Sequence, residues 1–272
     1  MSDTAAQALR ALTHALCEAA GEEAGQQARL MLCHALRCEP GTLVLHLNDE
    51  LKDGQKLELN ELLQRRLSRE PLQYLLGEWS FMGLPFLVRP GALIPRQDTE
   101  TLCEYALREA KVRGYKTALD LCCGTGCIGV SLAKLGGMDV TMSDLSPDCV
   151  SLAQENAKRN DVDAAVLQGS FFAPIQGRFD MILCNPPYLT GADMTVLQPE
   201  VRYEPALALY GGEDGLTAYR AIREGYKAHI TPGGMLLLEV GDKQACDVCG
   251  LFDGAQALPD YNGIMRVVCV RE

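Results

Sequence analysis

Nowhere does the sequence reach the ~18 uninterrupted apolar residues that a membrane helix needs. Its start, MSDTAAQALR, also lacks the basic stretch and apolar core of a secretory leader, so a cytoplasmic protein with no membrane partner is expected. Positive charge is scarce: 25 Lys and Arg face 36 Asp and Glu, a net charge of −11. Such a chain has no fold-wide affinity for phosphates, which argues against direct nucleic-acid binding and leaves only a local patch, Arg65-Arg66, as a candidate. Histidine is rare, and His14, His34, His46 and His229 all lie away from the motifs below, so no general base stands out. Cysteine is abundant at twelve, but most sit in apolar runs, where a free thiol acts as a small hydrophobe, and no disulfide framework is expected in this compartment. Only Cys246-Asp-Val-Cys249 has ligand spacing; without a second pair or a nearby histidine, no metal site is expected.

What remains is an ordinary globular composition, 47% hydrophobic and 22% charged, in a chain of 272 residues, long enough for two modest domains. From Thr4 to Leu76 the period is helical, with Leu9, Leu12 and Leu16, then Leu59, Leu62, Leu63 and Leu67, at steps of three and four. Breakers at Glu39-Pro40-Gly41 and Lys52-Asp53-Gly54 divide it into short helices, so residues 1–76 read as a small helical domain. Residues 77–95 read as a β-hairpin linker, with Trp79 and Phe81 on one strand, Phe86 and Val88 on the other, and Met82-Gly83-Leu84-Pro85 between. The segment Asp98-Thr99-Glu100-Thr101 is expected to cap a helix reaching about Arg113.

Residues 96–272 alternate between strand and helix patterns. Strands are expected at 117–122, 139–142, 164–167, 179–184, 235–240 and 265–270, with helices from about 126, 147 and 214. That alternation predicts an α/β domain with a mainly parallel sheet and helices on both faces. The first strand ends in Cys122-Cys123-Gly124-Thr125-Gly126, a turn that lets a ligand approach the backbone, although it is not the full dinucleotide fingerprint. Asp144 ends the next strand, where a carboxylate can accept the ribose hydroxyls of an adenosine or, alternatively, cap the helix opened by Pro147. Strand 179–184 stops at Asn185-Pro186-Pro187-Tyr188. Its prolines donate no hydrogen bonds but keep their carbonyls, so the Asn185 oxygen and a proline carbonyl can receive an NH2 group beside the flat face of Tyr188.

This turn resembles that of S-adenosylmethionine-dependent methyltransferases acting on planar, conjugated nitrogen. The segments Arg65-Arg66, Glu70 to Leu75, Gly77-Glu78, Phe81, Leu93 to Arg96, Asp98-Thr99-Glu100, Val201 to Pro205 and Gly211 to Leu216 narrow the resemblance to the release-factor glutamine methyltransferases, the PrmC/HemK family. The resemblance covers nearly the whole chain. It implies a Rossmann-like class I methyltransferase domain with a seven-stranded sheet, a helical substrate-recognition domain, and methylation of the glutamine in the Gly-Gly-Gln motif of class I peptide-chain release factors. A monomer is expected. Carried over by residue, S-adenosylmethionine binding falls on Cys122, Cys123, Gly124, Thr125, Gly126, Asp144, Phe171 and Asn185; the substrate glutamine falls on Asn185, Pro186, Pro187 and Tyr188, with Asn185, Pro186 and Tyr188 catalytic.

Departures from the family pattern are Cys122-Cys123, expected to narrow the turn; Gln97 in place of a proline, expected to loosen its loop; Ser170 where an acidic residue often meets the adenine; and Met265 before Arg266. Glu204, near Arg202, reads as a solvated charge. Two other functions compete: a nucleic-acid amino methylase that flips a base into the same pocket, opposed by the acidic charge, and a non-catalytic cofactor-binding scaffold, opposed by the intact Asn185 turn.

Overall fold

The computed structural model describes residues 4–272, which fall into two compact units. One ends at Gly77 and also takes in Pro199–Tyr203. Its helices are α1 (Ala5–Ala20), α2 (Ala24–Leu36), α3 (Leu43–His46), α4 (Asp53–Leu67) and α5 (Leu72–Leu76). Leu12 and Leu16 of α1 meet Met31 and Leu32 of α2 and Leu59 of α4 in one core, the helical stripes burying each other as their spacing dictates. Arg66 lies on the buried face of α4 with Leu59 and Leu62. An interior guanidinium must be paired: its Nε donates to Gln27 at 2.8 Å and its NH2 to Glu200 at 2.9 Å. Arg65 is bound by Glu70. The candidate basic patch at Arg65-Arg66 is therefore not a free patch, because both charges are neutralised within the unit.

The second unit comprises Glu78–Gln198 and Glu204–Glu272. It opens with the hairpin β1 (Glu78–Phe81) and β2 (Leu84–Leu87), which belongs to this unit by its contacts. The remaining elements are α6 (Gln97–Arg113), β3 (Thr117–Leu121), α7 (Cys127–Gly136), β4 (Asp139–Asp144), α8 (Pro147–Arg159), β5 (Ala165–Gln168), β6 (Phe179–Cys184), α9 (Gly191–Thr195), α10 (Ala206–Leu209), α11 (Thr217–His229), β7 (Ile230–Glu239), α12 (Ala245–Cys249), β8 (Gln256–Pro259) and β9 (Met265–Arg271). The seven-stranded sheet runs β5-β4-β3-β6-β7-β9-β8, with β9 antiparallel to both neighbours and the other registered pairs parallel. Its central strands are apolar on both sides, as a sheet covered on two faces requires: Met181 and Leu183 enter one core with Val130 and Leu132 of α7, Ile182 and Cys184 the other with Tyr219 and Ile222 of α11. This is a Rossmann-like α/β fold. Chain order reverses between β3 and β6, which opens a crevice at the carboxyl ends of the strands.

Helix α6 starts at Gln97, and its N-cap is Arg96 with no side-chain bond, so the expected capping by Asp98 to Thr101 is corrected. Thr99 and Thr101 are instead buried on the helix. Gln97 also does not loosen a loop: it is the first helical residue, where proline is favoured because that amide has no intrahelical partner and the ring presets φ, and where other residues are helical too.

Candidate active site

Three strand ends meet at the reversal of chain order: Leu121 of β3, Asp144 of β4 and Cys184 of β6. They open on a cavity of about 380 Å³, lined by Cys122, Gly124, Asp144, Ser170, Phe171, Asn185 and Pro187, with Leu93, Leu145 and Leu207 among its apolar walls. That volume lies in the range of small-molecule sites, and the mixture of apolar wall and few polar groups suits a nucleoside with an aliphatic tail.

On the β4 side the polar groups are backbone-held. Cys123 N donates to Ser143 O at 3.0 Å, which ties the glycine turn to the strand beside it. Asp144 accepts Gly124 N at 2.8 Å on one carboxylate oxygen and Ser146 N at 2.9 Å on the other. Burial raises its pKa and the two amides oppose that rise. A carboxylate has about four lone-pair sites, more than these two bonds occupy, so the group can still accept a ribose hydroxyl. The helix cap of α8 is Ser146, not Asp144. Cys122 and Phe171 both have left-handed backbones, φ 55° and 44°. A side chain there costs about 1–2 kcal/mol, which explains why glycine suits position 122 and shows that its cysteine affects the turn through backbone strain as well as size.

On the β6 side the chain turns through Asn185, Pro186, Pro187 and Tyr188. Asn185 Nδ2 donates to Thr99 Oγ1 of α6 at 3.2 Å. Among the described residues no donor reaches Asn185 Oδ1, and the residue lines the cavity. Tyr188 is held by its backbone, its carbonyl accepting Gln244 Nε2 at 2.9 Å, and burial pushes its phenol up to about 12, so it stays neutral. Behind the turn, a Cβ on Gly211 would stand 2.6 Å from Pro187 O and 2.7 Å from Tyr188 Cα. Only glycine fits that close approach of two backbones. Glu239, at the end of β7, is buried beside the turn; burial raises its carboxyl to about 7, while the Thr99 hydroxyl and Arg266 pull it back.

Residues 7–77 match the PrmC N-terminal domain and residues 100–202 the methyltransferase small domain. The release factor glutamine methyltransferase of Cereibacter sphaeroides is 43% identical over 98% of both chains. This chain belongs to the release factor glutamine methyltransferases. The member of that family from Geobacter sulfurreducens is 42% identical over 93% of this chain and 91% of its own length. Among solved structures, a methyltransferase from Pyrococcus furiosus superposes with TM-score 0.54 at 18% identity, covering 71% of this chain and 90% of its own. The 16S rRNA N2 G1207 methyltransferase of T. thermophilus, in complex with AdoMet and guanosine, superposes with TM-score 0.55 at 20% identity over 72% of this chain and 49% of its own. Both share the fold.

Within this methyltransferase the structure brings Cys122, Gly124, Asp144, Phe171 and Asn185 to one cavity. Cys123, Thr125 and Gly126 lie in the turn behind it, Cys123 and Thr125 buried and Gly126 as the N-cap of α7. Ser170 faces the cavity, whereas Met265 is on the surface at the start of β9. Glu204 is corrected: it is not solvated but buried, accepting Ile94 N at 3.0 Å and paired with Arg96. No group of three or more His, Cys, Asp or Glu that could hold a metal occurs among the described residues. Sequence reasoning missed Thr99 and Glu239 as neighbours of the Asn185 turn, and Asn156. Asn156 is fully buried in α8, with Nδ2 donating to Thr125 O and Leu87 O and Oδ1 accepting Leu87 N, which joins the hairpin to the glycine turn. A signal existed: Asn156 interrupts the apolar stripe Cys149, Leu152, Ala153 and Ala157.

Proposed function

We propose that the cavity binds S-adenosylmethionine and that the chain transfers a methyl group to the side-chain amide nitrogen of the Gly-Gly-Gln glutamine in class I peptide-chain release factors, in the cytoplasm. The observation that carries this reading is the Asn185 turn, whose Asn185 and Pro187 line a cavity beside a carboxylate suited to ribose. The residues present fit the donor. Asp144 would hold its ribose, the Cys122 to Gly126 turn its aliphatic tail, and Phe171 and Leu145 its adenine. When bound, that cofactor supplies an electrophilic methyl group.

An amide nitrogen is a poor nucleophile because its lone pair is conjugated with the carbonyl, the resonance behind a rotation barrier of ~18–20 kcal/mol. Asn185 Oδ1 and the Pro186 carbonyl accept its two N–H bonds, hold the nitrogen facing the donor, and favour the pyramidal geometry in which the lone pair is freed. Tyr188 offers a ring face to the planar amide and, remaining neutral, tolerates a neighbouring cation. After transfer the nitrogen is strongly acidic, so its extra proton passes to water through the same acceptors. Mass spectrometry of a purified release factor incubated with the protein and S-adenosylmethionine tests the reading, with alanine in place of the motif glutamine as control. One methyl on that glutamine, absent from the control, supports it; labelling of RNA or DNA and not of the factor would replace it with a nucleic-acid methylase, and no labelling despite cofactor binding with a scaffold.

A further inference from the structure

An asparagine amide offers opposite chemistry at its two ends, so Asn185 can receive an NH2 group only if its oxygen, and not its nitrogen, faces the cavity. Nothing in Asn185-Pro186-Pro187-Tyr188 decides this, because a half-turn of the amide about its own axis exchanges acceptor for donor at nearly constant shape. The decision lies with a group outside the turn. Thr99 of α6 is buried, its Oγ1 is 3.2 Å from Asn185 Nδ2, and its hydroxyl lies against the carboxylate of Glu239. A hydroxyl carries one proton. Thr99 turns it towards the carboxylate of Glu239, whose acidity it increases; Glu239 is buried and its Oε2 has no hydrogen-bond partner. The Thr99 oxygen is thereby left as an acceptor towards Asn185, and only the NH2 end of the amide matches it.

We propose that Thr99 is a positioning residue: oriented by Glu239, it binds Asn185 Nδ2 and so fixes Asn185 Oδ1 towards the substrate amide. The proposal rests on the reading of Asn185 as a substrate acceptor. The charges around Glu239 are those of Arg266 and Arg96, which favour its ionised form, and of Asp98, which opposes it.

The test compares Thr99→Val, which keeps the shape and removes the hydroxyl, with Thr99→Ser, which keeps the hydroxyl. Wild type and both variants are assayed for glutamine methylation under saturating S-adenosylmethionine, and for cofactor Kd and Tm. Expected are a 10- to 100-fold loss of kcat in Thr99→Val with cofactor Kd within about threefold of wild type, and turnover near wild type in Thr99→Ser. If valine prevents folding, Thr99→Ala takes its place in the same comparison. Turnover within about twofold of wild type in the hydroxyl-free variant overturns the proposal, as does equal loss in the serine and hydroxyl-free variants, which would mark a packing role. A loss that appears only as weaker cofactor binding also overturns it. Wild type that binds cofactor without methylating the glutamine overturns the functional reading instead, and the proposal with it.

Discussion

At the end of β4 the carboxylate of Asp144 is held by two backbone amides, Gly124 and Ser146, whereas at the end of β6 the amide of Asn185 is held by one side chain, Thr99. The first arrangement is built within two consecutive strand-to-helix turns. The second joins residues 86 positions apart. Backbone partners survive any side-chain substitution, so the donor side of the cavity is set by the fold itself, while the amide side depends on particular groups brought in from α6 and β7. Binding and catalysis should therefore separate under mutation.

The sharpest separation is expected from Asn185→Ala. On the proposed function it removes the acceptor for the reacting nitrogen, and turnover should fall by about 10³-fold, comparable to losing a preorganised electrostatic group. Cofactor affinity measured by calorimetry should change little. A parallel loss of affinity would mean that the two sides are not independent.

Asp144→Ala is the converse. On the proposed function two charge-assisted hydrogen bonds to ribose, each ~1.5–3 kcal/mol, would be lost, so cofactor Kd should rise by about 10²-fold or more while kcat at saturation stays closer to wild type. If kcat falls as far as affinity, Asp144 also orders the amide side.

Gly211→Ala addresses the amide side from behind. The added methyl meets Pro187 O and Tyr188 Cα, both backbone atoms, and must displace the turn. Overpacking of that kind costs about 1–3 kcal/mol, and a roughly tenfold drop in kcat with unchanged cofactor affinity is the expected result. Wild-type kinetics would show that the turn can shift without harm.

The same contrast explains what could be read from the sequence. Glycine turn, Asp144 and the alternation of strand and helix are local patterns, and they led to the sheet and to the donor side. Strand β8 escaped notice because Gln256–Pro259 is four residues long, at the sheet edge, and ends in proline. Strand β7 begins five residues before its apolar run, since Thr231-Pro232-Gly233-Gly234 reads as a loop. Asn185 was legible from its turn, but Thr99 resembled a helix cap, and Glu239 gave no sign that it would be buried near Thr99 and Tyr188. Arg66 and Glu204 were misjudged for one reason: a charged residue reads as solvated until its partner, distant in sequence, is known.

One carboxylate on the donor side shares its physics with Glu239 and not with Asp144. Asp120 is wholly buried in β3; Oδ2 accepts Gly129 N at 2.8 Å and Oδ1 has no partner. Burial lifts its pKa to about 7, opposed by the Gly129 amide and raised further by Asp144. Between about pH 4 and pH 7 the folded protein thus retains a proton that the unfolded chain has released, and stability declines as pH rises through that window. Asparagine keeps an oxygen for Gly129 and never acquires the charge. Asp120→Asn should consequently be more stable than wild type at pH 8, by about 2 kcal/mol or ~4–8 °C in Tm, and should lose that advantage by pH 4, with cofactor affinity and turnover changing least among these variants. A variant less stable than wild type at pH 8 would mean that the ionised carboxylate is itself a structural requirement of the glycine turn, and the donor side would then depend on a side chain as much as the amide side does.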